Sequence, residues 1–165
     1  MKAILERGSF PKKNIHINIG GSKSESNRLL ILQAQFPSIS IKNLSESHDT
    51  AVLQKALKAT NGTIDIHHAG TAMRFLTAYF SAKERAEITL TGSQRMQERP
   101  ISILVEALQN LGADIEYLKN EGFPPLKIRG KKLTGGRISI EATVSSQYIT
   151  ALLLIAPRLE NGLEL

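Results

Sequence analysis

The chain of 165 residues is 41% hydrophobic and 22% charged, enough apolar side chain for one ordinary domain or for part of a larger one. With no cysteine it excludes disulfides, thiolate nucleophiles and cysteine-ligated metals, and no apolar stretch is long enough to span a bilayer. A net charge of +6 favours an acidic partner: a phosphorylated metabolite, nucleic acid or a membrane surface.

The opening "MKAILERGSF" has no apolar signal-peptide core, so a cytoplasmic location is expected. The first predicted unit is a strand "IHINI" (15–19), a polar turn "GGSKSESN" (20–27), an apolar helix "RLLILQAQ" (28–35) and a strand "SISIKNL" (38–44). An amphipathic helix follows in "HDTAVLQKALKATNG", with Asp49 as its N-cap and Asn61-Gly62 as its stop. The second unit repeats the layout with "TIDIH", "HAGTAM", "RFLTAYFSA" and "AEITLTG". A further helix is marked by Pro100 in its first turn and Gly112 just past its end. The third unit runs "RISIEA", "TVSSQ", "YITALLLIAP" and "GLEL", and its abrupt apolar ending predicts a chain cut from a longer protein.

Unequal spacing between the units excludes a solenoid of fixed period and points to duplication within a mixed fold. Helices apolar nearly all round, "YITALLLIAP" above all, must be buried, so the fold class is α/β or α+β with sheets packed around buried helices. Three helix N-termini, each with free N–H groups and a partial positive charge, are then available to one surface that takes phosphate or carboxylate. A single hydroxyl ahead of a helix is ordinarily a cap. Three turns of the same kind, with Ser24, Thr71 and Ser145, leave capping and anion binding equally open, since Lys23, Arg28 and Gln147 accompany them.

Other motifs are excluded. A P-loop needs glycine directly before its lysine, but Ser22 precedes Lys23 and Ile17 stands at the distant glycine position. No dinucleotide fingerprint occurs. His67 and His68, adjacent after a strand, face opposite ways, and His16 and His48 lack ligand spacing, so no metal site is expected. Arg95 and Arg99 precede a helix whose macrodipole opposes them, so an anion there would offset the cost.

"GSKSESNR", "AGTAMRFL", "LTGSQRMQERPI", "FPPLKIRG" and "VSSQYITALLLIAP" resemble, in order and spacing, the 5-enolpyruvylshikimate-3-phosphate synthase family, the 3-phosphoshikimate 1-carboxyvinyltransferases. The resemblance implies an enolpyruvyl transferase-like inside-out α/β barrel, built from repeated βαβαββ units with buried parallel helices, in two domains flanking the active site. Residues 1–20 would pair with an absent C-terminal domain, and residues 21–165 would form the N-terminal domain, truncated within its third unit. The implied reaction transfers the enolpyruvyl group of phosphoenolpyruvate to the 5-hydroxyl of shikimate 3-phosphate in the shikimate pathway of aromatic amino-acid biosynthesis. No metal, cofactor, nucleic acid or membrane is expected to take part. By resemblance Lys23 is catalytic and touches both substrates. Ser24, Arg28, Ser145, Ser146 and Gln147 bind shikimate 3-phosphate, and Gly70, Thr71, Arg95 and Gln147 bind phosphoenolpyruvate. Thr71 sits beside Gly70 in the turn that, in the family, also meets the herbicide glyphosate. The family's acidic catalytic residues belong to the C-terminal domain, so this chain alone is expected to be inactive. Gly20 stands in place of the family's common proline, His67-His68 in place of Gly-Asn, and Phe75 in place of another proline.

Two rivals carry different chemistry. The sister transferase acting on UDP-N-acetylglucosamine typically has asparagine after the first lysine and a cysteine in a mobile loop; here Ser24 follows Lys23 and cysteine is absent. A basic RNA-binding module of strand–helix units would need a Gly-x-x-Gly clamp or exposed aromatics, and aromatics are only 5% of the chain.

Overall fold

The computed structural model describes residues 16–141 and 145–165, together with Ile4, Gly8 and Asn14. Helices α1 (Lys23–Gln35) and α2 (His48–Ala56) come first, followed by β1 (Asn61–Asp65), α3 (Gly70–Ser81) and β2 (Glu87–Thr91). The short α4 (Gln94–Gln97) leads to α5 (Ser102–Asn110), then β3 (Asp114–Tyr117) and β4 (Leu126–Arg129). The last elements are β5 (Gly136–Arg137), α6 (Ser146–Ile155), a 3₁₀ turn (Ala156–Arg158) and β6 (Leu163–Glu164).

The main sheet has the order β1-β2-β4-β3. Strands β1 and β2 are parallel, with Asn61 opposite Glu87, and the other pairs are antiparallel. Parallel neighbours need a crossover, and α3 supplies it. Period-2 alternation decides which face α3 covers: Ile88, Leu90, Ile115, Leu126 and Ile128 are buried. The opposite face carries ion pairs, Lys127–Glu87 at 3.3 Å and Arg129 to Asp114 and Glu116 at 3.1 Å each, as befits a sheet solvated on one side.

Helix α3 is the centre of the molecule, buried at Gly70 and at residues 72–81. Its polar residues survive burial by bonding backward. Thr77 and Ser81 donate to the carbonyls of Met73 and Thr77 at 2.7 Å each, which satisfies hydroxyls that water cannot reach. Helices lie innermost and the sheet outermost, the α/β arrangement with buried helices that the apolar patterning predicts. Helix α6 is buried on one side only; Leu153, 54% exposed, faces away from α3.

Helices α1, α3 and α6 run parallel. At one end Gln35, last in α1, donates to the carbonyl of Leu154 at 3.0 Å, near the end of α6. Ala34, Gln35, Tyr79, Ala82, Lys83 and Arg158 line one small cavity there, so α3 finishes at the same level. The three helix starts therefore share the other end.

Several expected boundaries move. Residues 16–19 of the expected first strand are not in a strand, and Ile15 lies outside the described residues; Ile17 and Ile19 are exposed with no ladder beside them. Residues 38–44 also form no strand. There Ile39 N–H closes a turn on the carbonyl of Phe36, and Asn43 takes a φ of 55°, which breaks an extended ladder. Ser47, not Asp49, caps α2, its hydroxyl accepting from Thr50 N–H at 3.3 Å. That helix ends at Ala56 because Asn61 and Gly62 are claimed by the β1–β2 ladder. Of "RISIEA" (137–142) only Arg137 lies in a strand, β5, which pairs with β6, and its Ala142 lies outside the described residues, as do Thr143 and Val144 of the following turn. The end of α5 is as expected: Gly112, at φ 98°, donates to Gln109 O at 2.8 Å and Ala113 to Leu108 O at 2.9 Å, the paired bonds of a Schellman stop.

Candidate functional site

The start of α1 is fixed from both sides. Ser22 caps it, accepting from Glu25 N–H at 3.4 Å, so Lys23 and Ser24 are its first two helical residues and Ser24 is not a cap. A Cβ on Gly21 would overlap the Asn43 carbonyl oxygen and lie 2.9 Å from its carbon, so only glycine lets the chain enter the helix past this loop. Ser26 then accepts from Ser45 N–H at 2.9 Å, and Asn27 accepts from the Thr50 hydroxyl at 2.8 Å, which docks α2 alongside. In consequence Asp49, in the first turn of α2, stands with its Oδ2 3.3 Å from Lys23 Nζ. Arg28, one turn beyond Ser24, donates to its carbonyl at 3.0 Å and also to its hydroxyl. Lys23 and Ser24 are exposed and Arg28 is half-buried beside them, so all three are available to a solute.

The start of α3 is built by the turn after β1. Asp65 Oδ1 accepts from His67 N–H at 2.7 Å, and His67 takes a left-handed φ of 49°. The His67 ring lies 6.1 Å from that of His48 at the start of α2, which brings the α1–α2 and α3 starts together. Ala69 precedes α3 without a side-chain cap, so the hydroxyl of Thr71, second in the helix, is not a cap either. Gly70 opens the helix. A Cβ there would overlap Arg99 Nη1 and lie 3.1 Å from Arg99 Cζ, so the guanidinium rests on the bare Cα. Arg99, Arg95, Met96 and His68 line an open depression of ≈ 560 Å³.

Behind this depression Arg74 is 4% exposed and donates to the Gly70 carbonyl at 3.1 Å. Burial and the neighbouring Arg99 lower its pKa from the ordinary arginine value, with Tyr148 partly offsetting them. Its Nη2 reaches the Pro100 carbonyl at 3.5 Å, and Tyr148 donates to the same oxygen at 2.7 Å. Tyr148 belongs to the first turn of α6, whose cap is Ser145, accepting from Gln147 N–H at 3.3 Å. Ser145 is thus a cap, as one of its two readings held, and Ser146 and Gln147 open the helix beside it.

The nine residues singled out in the sequence therefore fall at one end of the helical layer. Lys23, Ser24 and Arg28 lie on α1, Gly70 and Thr71 on α3, Ser145, Ser146 and Gln147 at α6, and Arg95 on the wall of the depression. Three neighbours lie outside the residues that the sequence singles out for the site. Asp49 is expected there as a cap, Arg74 carries no expectation of its own, and His68 is expected to be structural or merely polar. A four-residue step from Gly70 was the available signal for Arg74. Among the described residues no group of three or more His, Asp or Glu is arranged to hold a metal ion.

A family model for EPSP synthase (3-phosphoshikimate 1-carboxyvinyltransferase) matches residues 54–165, most of the chain. The chain belongs to the EPSP synthase family. Its sequence is 56% identical over 150 residues to a 3-phosphoshikimate 1-carboxyvinyltransferase of Bacteroides fragilis, covering 90% of this chain and 36% of that protein. It is 44% identical over 178 residues to the Haemophilus influenzae enzyme of the same name, with coverage of 90% and 41%. An EPSP synthase structure from Acinetobacter baumannii superposes with a TM-score of 0.72 at 22% identity, over 87% of this chain and 38% of that one, and shows the shared fold. The chain thus spans well under half the length of these EPSP synthase relatives. Within the family's fold it carries the layer of parallel helices whose starts gather at one end.

Proposed function

We propose that the chain supplies one wall of the active site of a 3-phosphoshikimate 1-carboxyvinyltransferase, the partner wall being the C-terminal domain of a family-length protein, with residues 1–20 belonging to that second domain. One observation carries the reading: the starts of three parallel helices bring Lys23, Arg28, Gly70 and the Ser145–Gln147 turn to a single end, beside a depression walled by Arg95 and Arg99.

Both proposed substrates are polyanions. Cations and helix N–H donors offset their mutual repulsion before the reacting carbons can meet. Ser24, Arg28, Ser145, Ser146 and Gln147 hold shikimate 3-phosphate; Gly70, Thr71, Arg95 and Gln147 hold phosphoenolpyruvate; Lys23 reaches both. The 5-hydroxyl oxygen of shikimate 3-phosphate bonds to C2 of the enol, losing its proton while C3 gains one. Phosphate then leaves C2 and C3 gives up a proton, restoring the double bond in the enolpyruvyl ether. Lysine can pass a proton in such steps, whereas an arginine stays charged and acts as a clamp. The reaction as proposed draws on no metal or organic cofactor and involves neither nucleic acid nor membrane. A cytoplasmic location suits these substrates, and no helix of the described residues is long and apolar enough to cross a membrane. Glyphosate would meet the Gly70–Thr71 turn.

Calorimetry of this chain with shikimate 3-phosphate is the test. Weak binding without turnover is expected, because the anion-holding helix starts are present and the second domain's acidic groups are not. No heat of binding at millimolar ligand would overturn the reading.

A further inference from the structure

The depression beside Gly70 lies just outside the carboxyl ends of the parallel strands β1 and β2, the place where open α/β sheets receive ligands. His68 follows β1, and Ser93 follows β2. Their two turns are tied together, with Ile66 N–H donating to Thr91 O and Ser93 N–H to His67 O, each at 3.0 Å. The Ser93 hydroxyl lies 2.7 Å from His68 Nδ1 and also accepts from Met96 N–H at 3.3 Å as the cap of α4. His68 is therefore held by one ring nitrogen on a rigid corner of the sheet, although the side chain itself is exposed.

That bond engages Nδ1 and leaves Nε2 free. Where Ser93 gives its hydroxyl hydrogen to Nδ1, the neutral ring carries its hydrogen on Nε2, and the charged ring carries one there too, with Nδ1–H donating to a lone pair of Ser93. The other neutral tautomer, with Nδ1–H donating to Ser93, leaves Nε2 an acceptor, and an anion in the depression selects against it in favour of the forms with a hydrogen on Nε2. No described residue bonds to it, and the other lining residues are Arg95, Arg99 and Met96, with no carboxylate among them. A depression lined by two arginines and an imidazole with a free ring nitrogen, and by no carboxylate, calls for an anion.

We infer that His68 is a further ligand of phosphoenolpyruvate, donating from Nε2 to its phosphate or carboxylate beside Arg95. The inference rests on the function proposed above and adds a contact that the sequence motifs did not supply. The ring is set by Ser93 before the ligand arrives, so the contact costs little ordering.

Ring-carbon NMR of the four histidines tests it, with phosphoenolpyruvate titrated into this chain in the presence of shikimate 3-phosphate. The His68 ring signals are expected to shift with the same saturation as the Gly70 and Arg95 backbone amides. His68→Ala should weaken phosphoenolpyruvate about tenfold, the loss of one hydrogen bond to a charged group, and leave shikimate 3-phosphate affinity unchanged. His68→Gln, which keeps an N–H donor, should recover part of the loss, and the amide spectrum reports whether each variant is folded. If the Gly70 and Arg95 amides move while the His68 ring stays still, or His68→Ala binds as tightly as the parent, the inference is wrong and the proposed function stands. If neither amides nor ring respond, the proposed function falls and this contact falls with it.

Discussion

Tyr148 donates its phenolic hydrogen to the carbonyl oxygen of Pro100 at 2.7 Å, across 48 positions of sequence. Arg74 reaches the same oxygen from α3, so a single backbone carbonyl ties the starts of α3 and α6 to the segment that carries Arg95 and Arg99. Tyr148→Phe keeps the packing and removes only this bond. We expect a loss of about 1 kcal/mol, the net worth of one intramolecular hydrogen bond. For a chain of this size that lowers Tm by roughly 2–4 °C. An unchanged thermal midpoint would mean that Arg74 alone sustains the junction.

Gly70→Ala separates folding from binding. The new Cβ would collide with Arg99 Nη1, the far end of a flexible side chain, and not with backbone. Arg99 can swing away, so stability should change by less than about 1 kcal/mol, within the range of an ordinary substitution. Its departure removes a cation from the depression, and phosphoenolpyruvate affinity should fall about tenfold, as expected for losing one charge-assisted contact. Denaturant titration and calorimetry on the same sample check both halves; a strongly destabilised protein would contradict the first, an unaltered affinity the second.

The sequence made the helices legible because burial writes itself as unbroken apolar periods: α3 and α6 lie where "RFLTAYFSA" and "YITALLLIAP" place them. It made β1 and β2 legible through the alternation of "TIDIH" and "AEITLTG", although β1 starts two residues earlier, at Asn61. What failed was pairing. Residues 38–44 alternate like a strand, yet a strand exists only where another backbone supplies a ladder, and a local pattern cannot report a neighbour. The caps of α1 and α2 lie two residues ahead of Ser24 and Asp49 for a related reason. Ser22 and Ser47 are the caps, while Ser24 and Asp49 sit inside the first turn, where their side chains meet Arg28 and Lys23. Arg74 was hidden because a charged residue in a helix reads as surface until the carbonyls that receive it are seen.

Lys23 invites a kinetic test in a full-length family enzyme carrying this sequence. Its bridge to Asp49 is half exposed, so the pair is worth at most about 1 kcal/mol and its loss should not unfold the protein. If Lys23 passes a proton during addition or elimination, Lys23→Ala lowers kcat by about a hundredfold or more, the usual scale of general acid–base catalysis. A variant with normal kcat and a raised KM would confine Lys23 to binding the ground state and transition state equally.

Tyr117 gives a prediction independent of the site. Its hydroxyl is buried without a hydrogen-bond partner, and burial, with Glu106 and Glu121 nearby, pushes the phenol up to about 12. The unfolded chain releases that proton near the ordinary value of 10.0. The folded state therefore favours the protonated form. The stabilisation is whole below pH ~10 and drains away as pH rises toward the folded value of about 12. Tyr79, also raised by burial, acts in the same direction. Tyr117→Phe removes an unsatisfied polar group and leaves nothing new unpaired. At neutral pH it should be neutral or stabilising by up to about 1 kcal/mol, and the variant should lose less stability than the parent between pH 10 and 12. Urea denaturation at pH 7 and pH 11 measures both effects. A destabilised Tyr117→Phe at pH 7 would mean that the hydroxyl is satisfied after all, by bound water or by one of the two glutamates.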